Sequence, residues 1–215
     1  MISFSGIRLC YGEMVLAENV TFSVAPGEVL LLAGPNGSGK STLLRALSPG
    51  GVLLPTGIPK LRGFSVDEFV RTSLYRISDW AGRLDRAASE RAEKALGDMG
   101  LEGLRGRDVS TLSDGEFQKA AIAAALSLRT PLLLLDEPTA FLDAGARQEV
   151  LSLIHRAARE SGTAVIFSSH DLSVSLRFSD RALALPGDGR FLISGTDPES
   201  KVSVLEEAFG KKNLF

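Results

Sequence analysis

Along the first part of the chain the apolar positions change their period. Residues 2–9 (ISFSGIRL) and 20–24 (VTFSV) alternate apolar and polar, the pattern of half-buried strands. After the Pro26-Gly27 turn signal the alternation stops. Val29 to Ala33 (VLLLA) is continuously apolar, as a strand buried on both faces is, and it runs into a glycine-rich stretch. Ser41 to Leu47 (STLLRAL) continues as a helix. Residues 48–63 hold four Gly and three Pro, too many for a long element. Helical spacing returns from Val66 to Arg76 and from Arg86 to Met99, where Ala88, Ala92, Ala95, Leu96 and Met99 share one face. A third helix spans Gly115 to Leu128. Beyond Pro131 come a buried strand at 132–135 (LLLL), a helix near 145–160 and a second buried strand from Thr163 to Ser168. Residues 180–194 read as a hairpin turning at Pro186 to Gly189, followed by an amphipathic helix near 200–209.

Buried strands that alternate with helices imply an α/β fold whose mostly parallel sheet is covered on both faces. Residues 64–104 interrupt that alternation and read as a small helical subdomain inserted into a core made of residues 1–63 and 105–215. The 215 residues allow one or two domains and ample core. A composition of 44% hydrophobic and 23% charged residues is that of a globular protein. The charges nearly cancel, net -2, so no basic field favours a nucleic-acid partner, and none is expected. Cys10 is the only cysteine, which excludes an intrachain disulfide and a Cys-rich zinc site. No apolar run approaches the ~18 residues of a membrane span. The start, MISFSGIRL, lacks the basic-then-apolar pattern of a secretory signal, so the expectation is a cytoplasmic protein.

Residues 34–41 read GPNGSGKS, the G-x-x-x-x-G-K-[ST] phosphate-loop pattern, between a buried strand and a helix. By ordinary residue usage roughly 0.01 chance matches are expected in a chain this long. Gly34, Gly37 and Gly39 permit turns that other residues resist. The N–H groups of Gly34, Pro35-flanked Asn36, Gly37, Ser38 and Gly39 then form a nest for anionic oxygens, and the following helix, with Thr42 in its first turn, adds its positive end. Lys40 is placed to meet the β- and γ-phosphates, and the Ser41 hydroxyl to ligate Mg²⁺.

The strand LLLL ends in Asp136-Glu137-Pro138. Ligands of open α/β sheets bind at the carboxyl ends of the strands. Asp136 is expected to face a Mg²⁺ held at Ser41 through a water, because that ion takes only one or two protein ligands. Glu137 is then free to act as a base, and Pro138 is expected to hold it extended. The second buried strand ends at the same edge in Ser168-Ser169-His170-Asp171, which puts His170 near a γ-phosphate. His155, inside a helix without acidic or glycine-rich context, reads as structural.

Taken together these residues resemble the ATP-binding cassette (ABC) ATPases over nearly all of the chain. LSDGE (112–116) is similar to the family signature, and LLLLDEPTAFLD (132–143) to its second nucleotide motif and following loop. The resemblance implies a P-loop NTPase with a RecA-like core, ATP and Mg²⁺ as ligands, and ATP hydrolysis with Glu137, His170 and Lys40 as catalytic residues. It also implies that Tyr11, in LCYG, stacks on adenine. Ser113, Gly115 and Glu116 would then act across a homodimer that sandwiches two ATP molecules, and Asp143 would take part in nucleotide binding. Ser113 and Glu116 also form a capping-box pattern, which is compatible with that role. Within the family SVDEFVRTSLYR, GLEGLRGRDVSTLSDGE and HDLSVSLRFSDRALAL resemble the ATPases of iron-siderophore, haem and cobalamin importers. That implies transmembrane permease subunits as partners and a place on the inner face of the cell membrane. Leu74, Tyr75, Ile77 and Trp80 are either the permease-docking patch or the core of the insert.

Three features depart from the family. Leu54-Pro55-Thr56 puts Thr56 where a Gln is usual. The stretch from Leu47 to Leu54 is short, so the antiparallel β-subdomain is expected to be reduced. Asp114 replaces a Gly and sets a carboxylate near where a phosphate would dock, with mutual repulsion unless it turns outward, where the cost is small. The other readings left open are a soluble ABC ATPase outside transport and a degenerate regulatory cassette.

Overall fold

The computed structural model describes residues 1–77 and 84–210. Two antiparallel strands, β1 (Ile2–Tyr11) and β2 (Met14–Val24), form a hairpin of their own. Its turn is two residues long, and Gly12 takes φ +58°, the left-handed value that such tight turns favour.

The main sheet has six strands in the order β4-β5-β6-β3-β7-β8. They are β3 (Val29–Ala33), β4 (Val52–Leu54), β5 (Leu132–Leu135), β6 (Ala164–Ser168), β7 (Arg181–Ala184) and β8 (Leu192–Ile193). All neighbours are parallel except β7 and β8, the expected hairpin. Alternate residues of the continuous apolar strands feed two separate cores. Leu30, Leu32, Leu132, Leu134 and Ile166 pack on one face with the β1–β2 hairpin and Leu43, Leu44 and Leu47 of α1 (Lys40–Leu47). Leu31, Leu133, Leu135, Val165 and Phe167 pack on the other face beneath the remaining long helices. Burial on both sides is why these strands read as unbroken apolar runs.

Helices α2 (Val66–Thr72), α3 (Arg86–Asp98), α4 (Asp114–Ser127) and α5 (Ala144–Ser161) cover that second face, with α7 (Pro198–Phe209) at the β7–β8 side. The Ser65 hydroxyl and Glu68 form a reciprocal cap that starts α2, and Ser113 and Glu116 do the same for α4. Arg71 bonds Asp67 on its own helix and Glu93 on α3, which ties the insert together.

The structure differs from the sequence expectations in several elements, among them β2, which starts at Met14 rather than at Val20. The helix expected to reach Arg76 ends at Thr72 and continues as a tighter 3₁₀ turn over Ser73–Ile77. The Gly/Pro-rich stretch supplies the edge strand β4, too short to show a period. Gly51 makes β4 possible, since a Cβ there would stand 2.3 Å from the Leu132 carbonyl oxygen. A six-residue helix, α6 (Leu172–Arg177), capped by Asp171, follows β6.

Candidate nucleotide site

The parallel register brings the ends of β3, β4, β5 and β6 to one edge, so the phosphate loop, Thr56, Asp136-Glu137 and His170 all emerge there. The loop is shaped by its glycines. A Cβ on Gly34 would fall 2.4 Å from Ser38 Oγ and 2.5 Å from the Leu185 carbonyl oxygen, so no other residue fits without movement. Gly39 caps α1 at φ +103°. Lys40 is only 6% exposed, and its ammonium donates to the carbonyls of Gly34 (2.8 Å) and Pro35 (3.1 Å). Burial lowers its pKa, while the charges of Glu137 and Asp136 pull it back up. Ser38 Oγ is buried without a hydrogen-bond partner beside it.

A cavity of about 350 Å³ opens from the loop to the hairpin tip. Asn36, Gly37, Gly39, Lys40, Ser41 and Thr42 line it on one side, and Tyr11, 75% exposed, stands at its mouth. Glu137 lines it as well. The same residue also lines a second cavity of about 530 Å³, with His170, Phe141 and Arg147.

Glu137 is not extended, contrary to the expectation from Pro138. It adopts φ +50°, the left-handed region, which costs of order 1–3 kcal/mol for a residue with a side chain. Hydrogen bonds hold it there. Its N–H donates to Ser168 Oγ (2.9 Å), and its carbonyl accepts from the Ala140 N–H (3.0 Å). Its carboxylate Oε1 lies 2.6 Å from His170 Nε2. Ser168 in turn donates to Asp136 Oδ1 (2.8 Å), so one buried hydroxyl orients both acidic residues. In the sequence Ser168 stands only as a polar strand end. Its signal was a serine ending an otherwise apolar strand.

The two departures from the family pattern have partners. Thr56 Oγ1 donates to the Asp136 carbonyl (2.7 Å), so its hydroxyl is bonded to the acidic strand end within the chain. Asp114 Oδ1 pairs with Lys60 Nζ at 2.7 Å rather than standing as an isolated charge.

Ser113, Gly115 and Glu116 do not line the cavity at the phosphate loop. Ser113 Oγ accepts from the Glu116 N–H (3.2 Å), and Glu116 Oε2 accepts from the Ser113 N–H (2.8 Å). Asp143 caps α5 through the Ala146 N–H (2.8 Å). Leu74 is fully buried, as the core alternative has it; Tyr75 is 56% exposed, and Trp80 lies outside the described residues.

Among the described residues no cluster of three His, Cys, Asp or Glu side chains forms a metal cage. The hard oxygen donors Ser41 and Asp136 instead suit an ion that completes its shell with phosphate oxygens and water, as Mg²⁺ does. No helix among the described residues is long and apolar enough to cross a membrane.

The ABC transporter family model matches residues 17–57, which include the phosphate loop. A model for an AAA domain, described under AbiEii toxin, Type IV TA system, matches residues 54–177, which include the signature and the acidic strand end. The petrobactin import ATP-binding protein FpuC of Bacillus anthracis is 35% identical, over 86% of this chain and 78% of its own. The hemin import ATP-binding protein HmuV of Streptomyces coelicolor is 36% identical, over 90% and 77%. The zinc import ATP-binding protein ZnuC of Paracoccus denitrificans is 39% identical, over 82% and 72%. Among solved structures, a metal-chelate type ABC transporter in an inward-facing conformation has a TM-score of 0.84 at 25% identity, covering 96% of this chain and 88% of that one. A bacterial ABC transporter cassette solved as a dimer shares the fold, with a TM-score of 0.71 at 23% identity, covering 92% of this chain and 99% of that one.

Fold and site together define an ATP-binding cassette, an α/β unit that binds and hydrolyses ATP. The chain belongs to the ATP-binding subunits of ABC transporters, and its homologues include importer ATPases for siderophores, haem and zinc.

Proposed function

We propose that this chain is the motor of an importer for iron-siderophore, haem or cobalamin-type metal chelates. Two copies sandwich two ATP molecules head to tail and dock on membrane permease subunits at the inner face of the membrane. Residues 1–63 and 105–215 form the nucleotide-binding core, and 64–104 the helical subdomain that contributes to docking.

The observation that carries this reading is Glu137, which stands between Lys40 and His170 and lines both cavities. ATP enters the cavity with adenine against Tyr11 and its phosphates in the N–H nest of residues 34–39. Lys40 exchanges its loop carbonyls for the β- and γ-phosphates. Ser41 and Asp136 would hold Mg²⁺, which would offset phosphate charge. Thr42 adds its place in the first turn of α1. Glu137 takes a proton from water as the water oxygen attacks the γ-phosphorus. The bond from that phosphorus to the β-phosphate oxygen breaks, giving ADP and phosphate. His170 keeps the carboxylate in line. Ser113, Gly115, Glu116 and Asp143 of one copy complete the site of the other. The capped start of α4 offers free N–H groups and a positive dipole end to the γ-phosphate.

A tagged copy expressed in its native cell tests this. It should retain a multispanning permease, and ATP should drive chelate uptake in vesicles carrying the complex. Recovery of nucleic acid with no membrane protein would overturn the transport reading.

A further inference from the structure

The carboxylate of Asp114 creates a difficulty for the sandwich. It sits in the first turn of α4, the helix end that must receive a phosphate from the second copy, and its side chain is 65% exposed. Glu116 adds a second negative charge in the same turn. Helix dipoles offer about half a positive charge at the N-terminus. Two uncompensated carboxylates would reverse that field.

Each carboxylate is met by a cation from a different segment. Arg107 Nη1 lies 3.5 Å from Glu116 Oε1. Lys60 Nζ lies 2.7 Å from Asp114 Oδ1. Lys60 is held in place by more than the charge. Its ammonium also donates to the Leu112 carbonyl at 2.8 Å, just before the cap, and lies 5.8 Å from the centre of the Phe117 ring. The side chain is therefore fixed by an anion, a carbonyl and an aromatic face, and it is only 27% exposed. Its segment is anchored again at Thr56, whose hydroxyl bonds the Asp136 carbonyl. One short loop thus joins the acidic strand end to the signature helix.

We propose that Lys60 is a positioning residue for the signature, neutralising Asp114 so that the start of α4 accepts the γ-phosphate of the ATP bound to the second copy. Lys60 does not line the cavity at its own chain's phosphate loop. This inference rests on the sandwich dimer proposed above.

The test uses the full chain carrying Glu137→Gln, which slows hydrolysis so that the ATP-bound state persists, with dimerisation followed by sedimentation at low salt. Adding Lys60→Ala should weaken ATP-driven dimerisation about tenfold, because a charge close to a phosphate is then left unbalanced. ATP binding to the dilute monomer and the melting temperature without ATP should stay close to those of the Glu137→Gln protein. The loss should shrink as salt rises, since an exposed charge is screened. Lys60→Arg should keep most of the dimer affinity. Asp114→Gly combined with Lys60→Ala should restore it to within about twofold, since the two residues act as one coupled pair. An unchanged dimer affinity in Lys60→Ala overturns the proposal. So does a loss that Asp114→Gly fails to rescue, because Lys60 would then serve packing alone. If the Glu137→Gln protein itself stays monomeric with ATP at every concentration, the sandwich reading falls, and this inference with it.

Discussion

His170 Nε2 stands 2.6 Å from Glu137 Oε1, and Glu137 lines the same cavity as Lys40. The imidazole thereby fixes a carboxylate whose backbone is already locked by Ser168. Glu137→Gln should bind ATP with near-parental affinity and lose roughly 10²–10⁴ in kcat, the usual contribution of a general base. His170→Ala should lower kcat more than it raises KM. Steady-state phosphate release measures both, and parental turnover in Glu137→Gln would remove the base assignment.

Ser168→Ala leaves the Glu137 N–H and Asp136 Oδ1 without their partner. Stability should fall by about 1–3 kcal/mol in urea unfolding, the usual penalty for an unsatisfied buried group. Turnover should fall as well, because Glu137 no longer has what holds it at φ +50°. Thr56→Val removes the donor to the Asp136 carbonyl and should reduce kcat, while Thr56→Ser should retain it. Equal activity of the valine and serine variants would show that the bond does not matter for turnover.

Acid should loosen the loop that carries His170. Burial alone would raise the Asp171 carboxyl, but the Val174 N–H, the Ser173 hydroxyl and Arg147 outweigh it and lower its pKa. A carboxyl lowered in the folded state contributes stability above its unfolded value, about 3.9 for Asp, and loses it as pH falls through the lower folded value. Arg147 bonds both Asp171 and the Leu142 carbonyl, so it links this loop to the segment bearing Phe141. Arg147→Ala should therefore move the acid unfolding midpoint to higher pH. A circular-dichroism titration with an unchanged midpoint would contradict this.

Much of the core was legible because burial on both faces leaves no room for polar residues. VLLLA, LLLL and the run ending at Ser168 became β3, β5 and β6 close to their expected bounds. The phosphate loop was legible for a similar reason, as Gly34 has no space for a side chain. β4 has three residues, too few to show a period, and its place depends on Gly51 approaching Leu132. The left-handed Glu137 was invisible because its cause is the hydroxyl of Ser168, 31 positions away. Asp114 looked like a bare repulsive charge for the same reason: Lys60 lies 54 positions earlier in a loop without periodicity. Local pattern reports burial, whereas these contacts depend on which strand ends the fold brings side by side.

Tyr11 is exposed at a cavity mouth where a core aromatic would be covered. Stacking of a base on an aromatic is worth about 1–3 kcal/mol. Tyr11→Ala should therefore weaken ATP binding by roughly 5- to 150-fold on that scale, and Tyr11→Trp should preserve it. Fluorescent nucleotide titration gives the comparison. Equal affinity in the alanine variant would place the base elsewhere.

Calorimetric titration of the purified chain with ATP and Mg²⁺, beside its Lys40→Ala variant, bears most directly on the whole account. Saturable binding of one ATP per chain is expected, abolished or greatly weakened when Lys40 is lost. No saturable binding by the parent up to millimolar ATP, or equal binding by both proteins, would contradict a nucleotide seat at the loop of residues 34–41.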